Sequence, residues 1–409
     1  MQIASFLGRY NDSLHFLLYI CTSKNETFMS TKLRPFLLVL LLAVIAQYSY
    51  AGKKLSARDA DAMRQRIISE WKAEQREKLR KNEEKKSIQQ GDNAMPYWFT
   101  TYGQEPLDGR SLWISMHGGG GAPKALNDQQ WENQKLLYKP AEGIYCAPRA
   151  PWDAWNMWFQ DPIDEMFEEL IRTMVVFHNV NPDKVYLMGY SAGGDGVWRL
   201  APRLADHWAS ASMMAGHPGD VSLVNVRNLP FTIWCGALDA AYNRNKEVAK
   251  RGIELDSLQR NDPLGYEHEC HIVEGMEHWM QLKDAAAVPW MAQHVRNPYP
   301  KHVVWQQEEV LRPNFYWLQV PREEMKRGKK VIASIEENVI TIQHCDYSQL
   351  TILLNDNLLN LDKPIKVLYE GRTQFKGKVA RTEENLRNTL KDRNDPSYVF
   401  PAAITIKTK

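Results

Sequence analysis

The sequence VYLMGYSAGG, residues 185–194, is the strongest indication of the fold class of this chain. Its apolar first half predicts a buried β-strand, and residues 195–204 are compatible with a helix. The G-x-S-x-G pattern between them is weak by itself. In the order strand, sharp turn, helix it is typical of a nucleophile elbow, which exposes a serine above the end of a sheet. We therefore predict that Ser191 is a nucleophile.

Strand-like and helix-like segments alternate around this elbow, from about residue 95 to residue 300. This alternation predicts an α/β fold with a mostly parallel sheet and helices on both faces. In such sheets the functional site lies at the carboxyl ends of the strands. The short apolar runs that we interpret as strands are residues 112–115, 144–147, 185–188, 209–213, 231–235 and 271–273.

A second motif, HGGGG at residues 117–121, follows the first of these strands. Attack on a carbonyl produces an oxyanion, which needs fixed hydrogen-bond donors, and glycines let backbone N–H groups approach closely. We assign one donor to the N–H of Ala192 and the other to Gly119 or Gly120. A phosphate-binding loop is the alternative, but no G-K-[ST] follows the glycines. His117 is expected to hold this loop.

The acid of the site is expected at Asp239, four residues beyond the apolar run 231–235. A carboxylate there can orient a histidine and stabilise its charged form. Asp220 and Asp195 are alternatives, although Asp195 lies too close to Ser191 in sequence to reach behind the histidine. A simple turn cap is another interpretation of Asp239. The order serine, acid, histidine favours its role in the site.

The base is expected at His278, in the sequence GMEHW at residues 275–279. An imidazole that titrates near neutrality can take the proton of Ser191 and return it to the leaving group. The sequence EHECH, residues 267–271, suggests a metal site as an alternative. Successive side chains of a strand face opposite ways, so these groups do not converge readily, and we predict no metal.

These motifs together resemble the α/β-hydrolase superfamily. The sequences HGGGG, GYSAGG, GALD and GMEHW in this order are similar to those of secreted serine esterases related to poly(3-hydroxybutyrate) depolymerases and feruloyl esterases, a group also labelled predicted peptidases. The resemblance covers about residues 95–299. It implies an eight-stranded sheet, a Ser191–Asp239–His278 triad and no cofactor. Intervals of 48 and 39 residues between the triad members leave no room for a large cap domain.

Substrate contacts are expected in the loop after the strand at 144–147. Its three tryptophans can line a cleft and stack on sugar or aromatic rings, and Arg149 can bind a carboxylate. The alternatives are packing at the domain edge for the tryptophans and an ion pair with Asp153 for Arg149. The residues that we assign to substrate binding are Arg149, Trp152, Trp155, Tyr190 and Trp279.

Residues 1–51 have the pattern of a secretory signal, with Met29 as a second candidate start. Two basic residues precede PFLLVLLLAVIA, residues 35–46, an apolar run too short to span a membrane comfortably. The small residues of SYA, residues 49–51, fit a cleavage site. We predict a secreted or periplasmic protein with no membrane span after cleavage; an uncleaved anchor is the alternative.

The rest of the chain divides into three predicted regions. Residues 52–94 are a charged helix or linker, 95–300 the hydrolase-like domain, and 301–409 a C-terminal β-sandwich-like module whose hydrophobic pattern has a period of two. The helix of the first region starts with a capping box formed by Ser56 and Asp59. The module is expected to support the hydrolase domain or to bind a carbohydrate or other surface; its partner is unknown.

The composition narrows the function classes. With 44% hydrophobic and 24% charged residues, the 409-residue chain is neither disordered nor collagen-like nor a polytopic membrane protein. A net charge of +2 predicts no nucleic-acid partner. We expect a secreted serine hydrolase that cleaves carboxylic esters, with a polysaccharide-linked ester or a polyester among the candidate substrates. A serine peptidase and a catalytically silent binding protein of the same fold are the alternatives.

Overall fold

The computed structural model describes residues 54–408, so the predicted secretory signal at residues 1–51 lies outside the described residues. Among residues 54–408, no helix is both long enough and apolar enough to cross a bilayer. The helices are α1 (Ala57–Lys78), α2 (Arg80–Lys85), α3 (Lys124–Lys135), α4 (Pro162–Phe177), α5 (Ala192–Arg203), α6 (Arg244–Asn261), α7 (Ala287–Met291) and α8 (Glu383–Arg393).

An eight-stranded sheet forms the centre of the molecule, with strand order β1-β2-β4-β3-β5-β6-β7-β8. Its strands are β1 (Ser87–Gln90), β2 (Asn93–Tyr102), β3 (Arg110–Met116), β4 (Gly143–Pro148), β5 (Val180–Tyr190), β6 (Ser210–Met214), β7 (Phe231–Gly236) and β8 (His268–Val273). Strands β3 to β8 run parallel to one another, β2 pairs antiparallel with β4, and β1 pairs antiparallel with β2. The predicted α/β class with a mostly parallel sheet is confirmed.

Both faces of the sheet are covered at its central strands, which explains why strands such as β4 and β7 are continuous apolar runs. Every residue of β4, β6 and β7 is buried. Along β3, Leu112 and Ile114 join one hydrophobic cluster with α4 and α5, and Trp113 joins a second cluster with α7. Alternate side chains therefore anchor helices on opposite faces. The carboxyl ends of the strands remain as the edge where loops can build a site.

The sheet starts earlier than the predicted domain boundary at residue 95. Strand β1 lies in the region predicted to be a charged helix or linker, and it pairs with β2. Its sequence, SIQQ, buries only Ile88 and has no strand-like hydrophobic pattern. The preceding helix α1 begins at the predicted cap, where Ser56 Oγ accepts the N–H of Asp59 at 3.1 Å. Through Ile67 and Trp71, α1 packs against residues of α4 and α8.

Two sheets follow the hydrolase-like region, with strand orders β10-β11-β14-β17 and β16-β15-β13-β12-β9. Buried side chains of both sheets share one hydrophobic cluster, as the predicted β-sandwich-like module requires. The sequence interpretation omitted β9, β17 and α8. The strands are β9 (His302–Gln306), β10 (Asn314–Phe315), β11 (Leu318–Gln319), β12 (Lys330–Glu336), β13 (Val339–Cys345), β14 (Gln349–Leu354), β15 (Ile365–Tyr369), β16 (Arg372–Gly377) and β17 (Ala402–Lys407).

Buried charges join these sheets to the hydrolase-like region. Asp206, in the loop after α5, forms an ion pair with Arg393 of α8, and its backbone oxygen accepts the hydroxyl of Tyr398 at 2.8 Å. Arg296 donates to Asp395 Oδ2 at 2.8 Å and to Asp183 Oδ1 at 2.9 Å. Asp206 and Arg296 are buried, and one hydrophobic cluster contains residues of both parts, so the two parts pack against each other.

Candidate active site

Ser191 lies at the sharp turn between β5 and α5. Its backbone has φ +56° and ψ −120°, a conformation that costs a non-glycine residue about 1–3 kcal/mol. Gly193 permits this turn, because a β-carbon there would lie 2.2 Å from the backbone oxygen of Met116. The Ser191 N–H donates to Met214 O on β6 at 2.9 Å. The strained turn therefore holds the serine at the carboxyl edge of the sheet.

Three side chains from separate loops meet at this edge. Ser191 Oγ lies 2.9 Å from His278 Nε2, and His278 Nδ1 lies 2.7 Å from Asp239 Oδ2. In the neutral imidazole that suits this line, Nδ1–H donates to the carboxylate and Nε2 accepts the serine hydroxyl. The Asp239 side chain is buried, whereas that of His278 is 44% exposed. The structure thus brings together the nucleophile, base and acid that the sequence predicted.

Backbone hydrogen bonds join the loop that carries Asp239 (the acid loop) to the loop that carries His278 (the base loop). The N–H of Leu238 donates to Met276 O at 2.9 Å, and that of Ala237 donates to Val273 O at 3.0 Å. Tyr190 adds a side-chain clamp: its hydroxyl donates to His278 O at 2.6 Å and accepts the N–H of Met280 at 3.0 Å. These contacts fix the position of the loop that carries Asp239 relative to the loop that carries His278.

An arginine that the sequence interpretation missed lies directly beside this pair. Arg244, the first residue of α6, donates from Nη1 to Asp239 Oδ1 at 2.7 Å. Burial tends to raise the pKa of Asp239, but the hydrogen bond from His278 and the charge of Arg244 outweigh it and hold that pKa below its usual value. The carboxylate is therefore ionised at neutral pH, as an orienting acid must be.

In the glycine loop at residues 117–121, the backbone N–H groups of Gly119 and Gly120 differ in whether they already have a hydrogen-bond partner. The Gly120 N–H donates to Asn127 Oδ1 at 3.0 Å, which contradicts its prediction as an oxyanion donor. Within residues 54–408, the N–H groups of Gly119 and Ala192 have no hydrogen-bond partner. Gly119 has φ +111°, and a β-carbon there would meet Asn127 Oδ1 at 2.0 Å. The N–H groups of Gly119 and Ala192 thus remain available to a ligand oxygen, and the Asn127 side chain, which the sequence interpretation missed, holds Gly120.

His117 braces the start of the same loop. Its Nδ1–H donates to Gly118 O at 2.6 Å, and its Nε2 accepts the N–H of Ala150 at 3.1 Å. Burial lowers the pKa of this imidazole to about 4, so it is neutral at physiological pH. A neutral ring is the form that both contacts require, because Nε2 must accept. The residue is a fixed support for the loop.

Three of the predicted substrate contacts are occupied in other ways. Arg149 is buried and pairs with Asp153 at 2.5 Å and Asp128 at 2.9 Å, so its guanidinium is not available to a substrate carboxylate. Trp152 is half-buried, packs on the core and donates to Asn93 Oδ1 at 3.0 Å. Tyr190 is buried and holds the base loop, as described above. These three predictions as substrate contacts are corrected, because each side chain turns back into the fold.

Two other predicted contacts do lie open at the site. Trp155 is 70% exposed, and its backbone lies beside the positions of Gly120 and Gly121. Trp279 is 49% exposed and leans on the ring of Tyr190, with centroids 5.6 Å apart. One indole therefore stands next to the glycine loop and the other next to the base. Their role as substrate contacts remains a prediction.

No group of three or more His, Cys, Asp or Glu side chains in residues 54–408 is arranged to hold a metal ion. In the EHECH sequence, His268 faces Asp256 and His271 faces Glu269. Cys146, Cys235 and Cys270 form no disulfide bond with any described residue.

No protein-family model matches this sequence, and no curated protein matches it. Among solved structures, a thermostable esterase is 18% identical with a TM-score of 0.39, covering 51% of this chain and 62% of its own. A carboxylesterase from Mesorhizobium loti is 19% identical (TM-score 0.34, 50% and 98% covered). A ferulic acid esterase is 15% identical (TM-score 0.34, 49% and 98% covered). The chain spans just under two thirds of the first of these proteins.

The fold is evident from the chain itself. The strand order, the antiparallel second strand and the serine turn between β5 and α5 are the features by which an α/β-hydrolase sheet is recognised. This chain has the α/β-hydrolase fold.

Proposed function

We propose that this chain is a serine hydrolase that cleaves carboxylic esters through an acyl-enzyme on Ser191. One observation carries the proposal. The hydrogen-bonded line from Ser191 Oγ through the His278 imidazole to Asp239 has contacts of 2.9 and 2.7 Å, within the range in which a base activates a hydroxyl nucleophile.

The proposed reaction proceeds in two halves. Ser191 Oγ attacks the acyl carbon while His278 Nε2 takes the hydroxyl proton, and buried Asp239 stabilises the imidazolium that forms. The N–H groups of Gly119 and Ala192 are the donors proposed for the oxyanion. The imidazolium then gives its proton to the departing alcohol, which leaves an acyl group on Ser191. A water molecule then gives a proton to His278 Nε2 and attacks the acyl carbon, and the imidazolium protonates Ser191 Oγ as the acid leaves, which restores the serine.

We favour esters over amides because the motif set resembles that of secreted serine esterases. The half-exposed His278 and the two open indoles, Trp155 and Trp279, leave the site accessible to an ester on a large carrier, such as a polysaccharide or a polyester. Secretion is proposed from the signal pattern at residues 1–51. An extracytoplasmic enzyme would meet such carriers directly.

Hydrolysis of p-nitrophenyl esters from acetate to decanoate, of a feruloyl ester and of peptide anilides tests this function. We expect kcat/KM for the best ester to exceed that for the best anilide by about 100-fold or more, because an alkoxide or phenolate leaves more easily than an amine. Faster anilide turnover would identify a peptidase. If neither class is cleaved by the folded protein, the chain is a silent binding protein and the proposal fails.

A further inference from the structure

Arg244 shares the carboxylate of Asp239 with His278. Its Nη1 donates to Asp239 Oδ1 at 2.7 Å, while His278 Nδ1 donates to Asp239 Oδ2 at 2.7 Å. The same Nη1 lies 3.2 Å from His278 Nδ1, with both nitrogens directed at one carboxylate. Each oxygen of Asp239 therefore has its own donor. A carboxylate held at both oxygens cannot rotate away from the imidazole.

Apart from its contact with Asp239, Arg244 lies in a local structure with three energetically unfavourable features. A cation at the first position of an 18-residue helix opposes the helix dipole. The two residues before it, Tyr242 and Asn243, both have φ +56°, in the left-handed region that non-glycine residues avoid. Arg244 Nε is buried without a hydrogen-bond partner among the described residues. Local rules that fail together in this way are typical of functional positions.

The loop that carries Asp239 is built to deliver this arginine. The N–H of Asn245 donates to Asp239 O at 3.0 Å, and its side-chain amide donates to Ala237 O at 2.7 Å. These bonds tie the first turn of α6 to Asp239 itself and to Ala237, two residues before it. The Arg244 side chain is only 9% exposed, so a substrate group has little access to its guanidinium.

Several titratable or charged groups face His278 or its partners. Asp239 and Arg244 come from the acid loop and α6, and Tyr190 contacts the ring from β5. Asp195, from the first turn of α5, interacts electrostatically with both His278 and Arg244; burial raises its pKa. Its Oδ1 accepts the backbone N–H of His217, whose own ring is part of the same electrostatic environment. Among these groups Arg244 is the cation in contact with the acid–base pair.

We propose that Arg244 is a positioning residue for this site. It holds one oxygen of Asp239 so that the other stays aligned with His278, and the imidazole in turn keeps the orientation that Ser191 requires. The inference rests on the proposed serine-hydrolase function. It adds a fourth side chain, outside the three-residue pattern, through which the acid is both fixed and kept ionised.

Steady-state kinetics of Arg244→Met on the best ester substrate test the proposal. We expect kcat to fall roughly 10- to 100-fold because the acid is free to rotate, with KM within about 3-fold of wild type. The acid limb of the pH–rate profile should move to higher pH, since Asp239 loses the cation that helps to hold its pKa below the usual value. Arg244→Lys retains the charge and should keep the acid limb at its wild-type position.

A double-mutant cycle separates positioning from general structural damage. In the Asp239→Asn background, Arg244→Met should change kcat by less than about 3-fold, because the arginine acts through the carboxylate. Arg260→Met, an exposed change at the other end of the same helix, should match wild type. An unchanged kcat, a loss confined to KM, or additive losses in the double variant would overturn the proposal.

Folding of each variant is checked by circular dichroism. If Arg244→Met does not fold, the pH–rate profile of Arg244→Lys is measured instead. An acid limb at the wild-type position supports the proposal, and an acid limb shifted to higher pH contradicts it. A wild-type protein with no esterase activity would instead refute the proposed function. The two failures are therefore distinguishable.

Discussion

Replacing Ser191 with alanine is expected to lower kcat/KM for an activated ester by about 10⁴- to 10⁶-fold. The variant lacks the oxygen that bonds to the acyl carbon, and no acyl-enzyme can form. Any remaining acceleration over water would come from the oxyanion donors and from substrate binding. The expected loss is the largest of any single change in this chain, because the other members of the line act only through this oxygen.

The measurement is steady-state hydrolysis of the best p-nitrophenyl ester, with each variant purified away from host esterases. Ser257→Ala, at a partly exposed position of α6, is the matched control and should retain full activity. Urea denaturation should show that Ser191→Ala has the stability of wild type within about 1 kcal/mol, since alanine adopts the same strained turn. More than a tenth of wild-type activity in Ser191→Ala would contradict a serine nucleophile at this position.

The change Asp206→Asn is expected to lower the free energy of unfolding by about 3–5 kcal/mol. Asp206 is fully buried where the hydrolase-like region meets the C-terminal sheets, between Arg393 and His207. Burial tends to raise the pKa of its carboxyl, but these two cations prevail and hold it far below its usual range. The neutral amide would leave Arg393 as a buried charge without its counterion. The total free energy of unfolding of a typical domain is only about 5–15 kcal/mol, so the variant would lose a large part of its stability.

Urea denaturation at pH 7 and pH 3 checks this expectation. Asp392→Asn, an exposed change next to Arg393, is the control and should shift stability by less than about 0.5 kcal/mol. Because the folded carboxyl has a lowered pKa, its contribution is complete above about pH 5 and declines as the pH falls below about 4. The gap between wild type and Asp206→Asn should therefore narrow at pH 3. Equal stability at pH 7 would show that the junction does not depend on this charge.

The central sheet was predictable because burial on both faces leaves a plain sequence signal. Strands such as β4 and β7 are short apolar runs that end at Gly, Pro or an acidic loop. The hydrophobic pattern does not reveal elements at the edges of the molecule, such as β1 and α8. Strand β1 buries one side chain of four, and α8 buries three of eleven, so tertiary contacts rather than hydrophobic pattern decide their structure.

The three members of the proposed triad were predictable because each follows a strand in an order that the fold dictates. The direction in which other side chains near the site point could not be predicted from the sequence. Arg149 and Tyr190 lie in sequence where a substrate could reach them, yet both turn inward to hold loops. Arg244 resembles an ordinary charged helix residue. The one available clue is a basic residue at the start of a helix, five positions after the acid, where the helix dipole disfavours it.

The proposed function depends on an activated nucleophile at Ser191, and mass-spectrometric mapping of a fluorophosphonate adduct on the folded wild-type protein measures that activation. We expect one phosphonyl group per chain, on the peptide that contains Ser191, with labelling lost in Ser191→Ala and strongly slowed in His278→Ala. Absence of an adduct from correctly folded protein, or an adduct on a different residue, would contradict the claim.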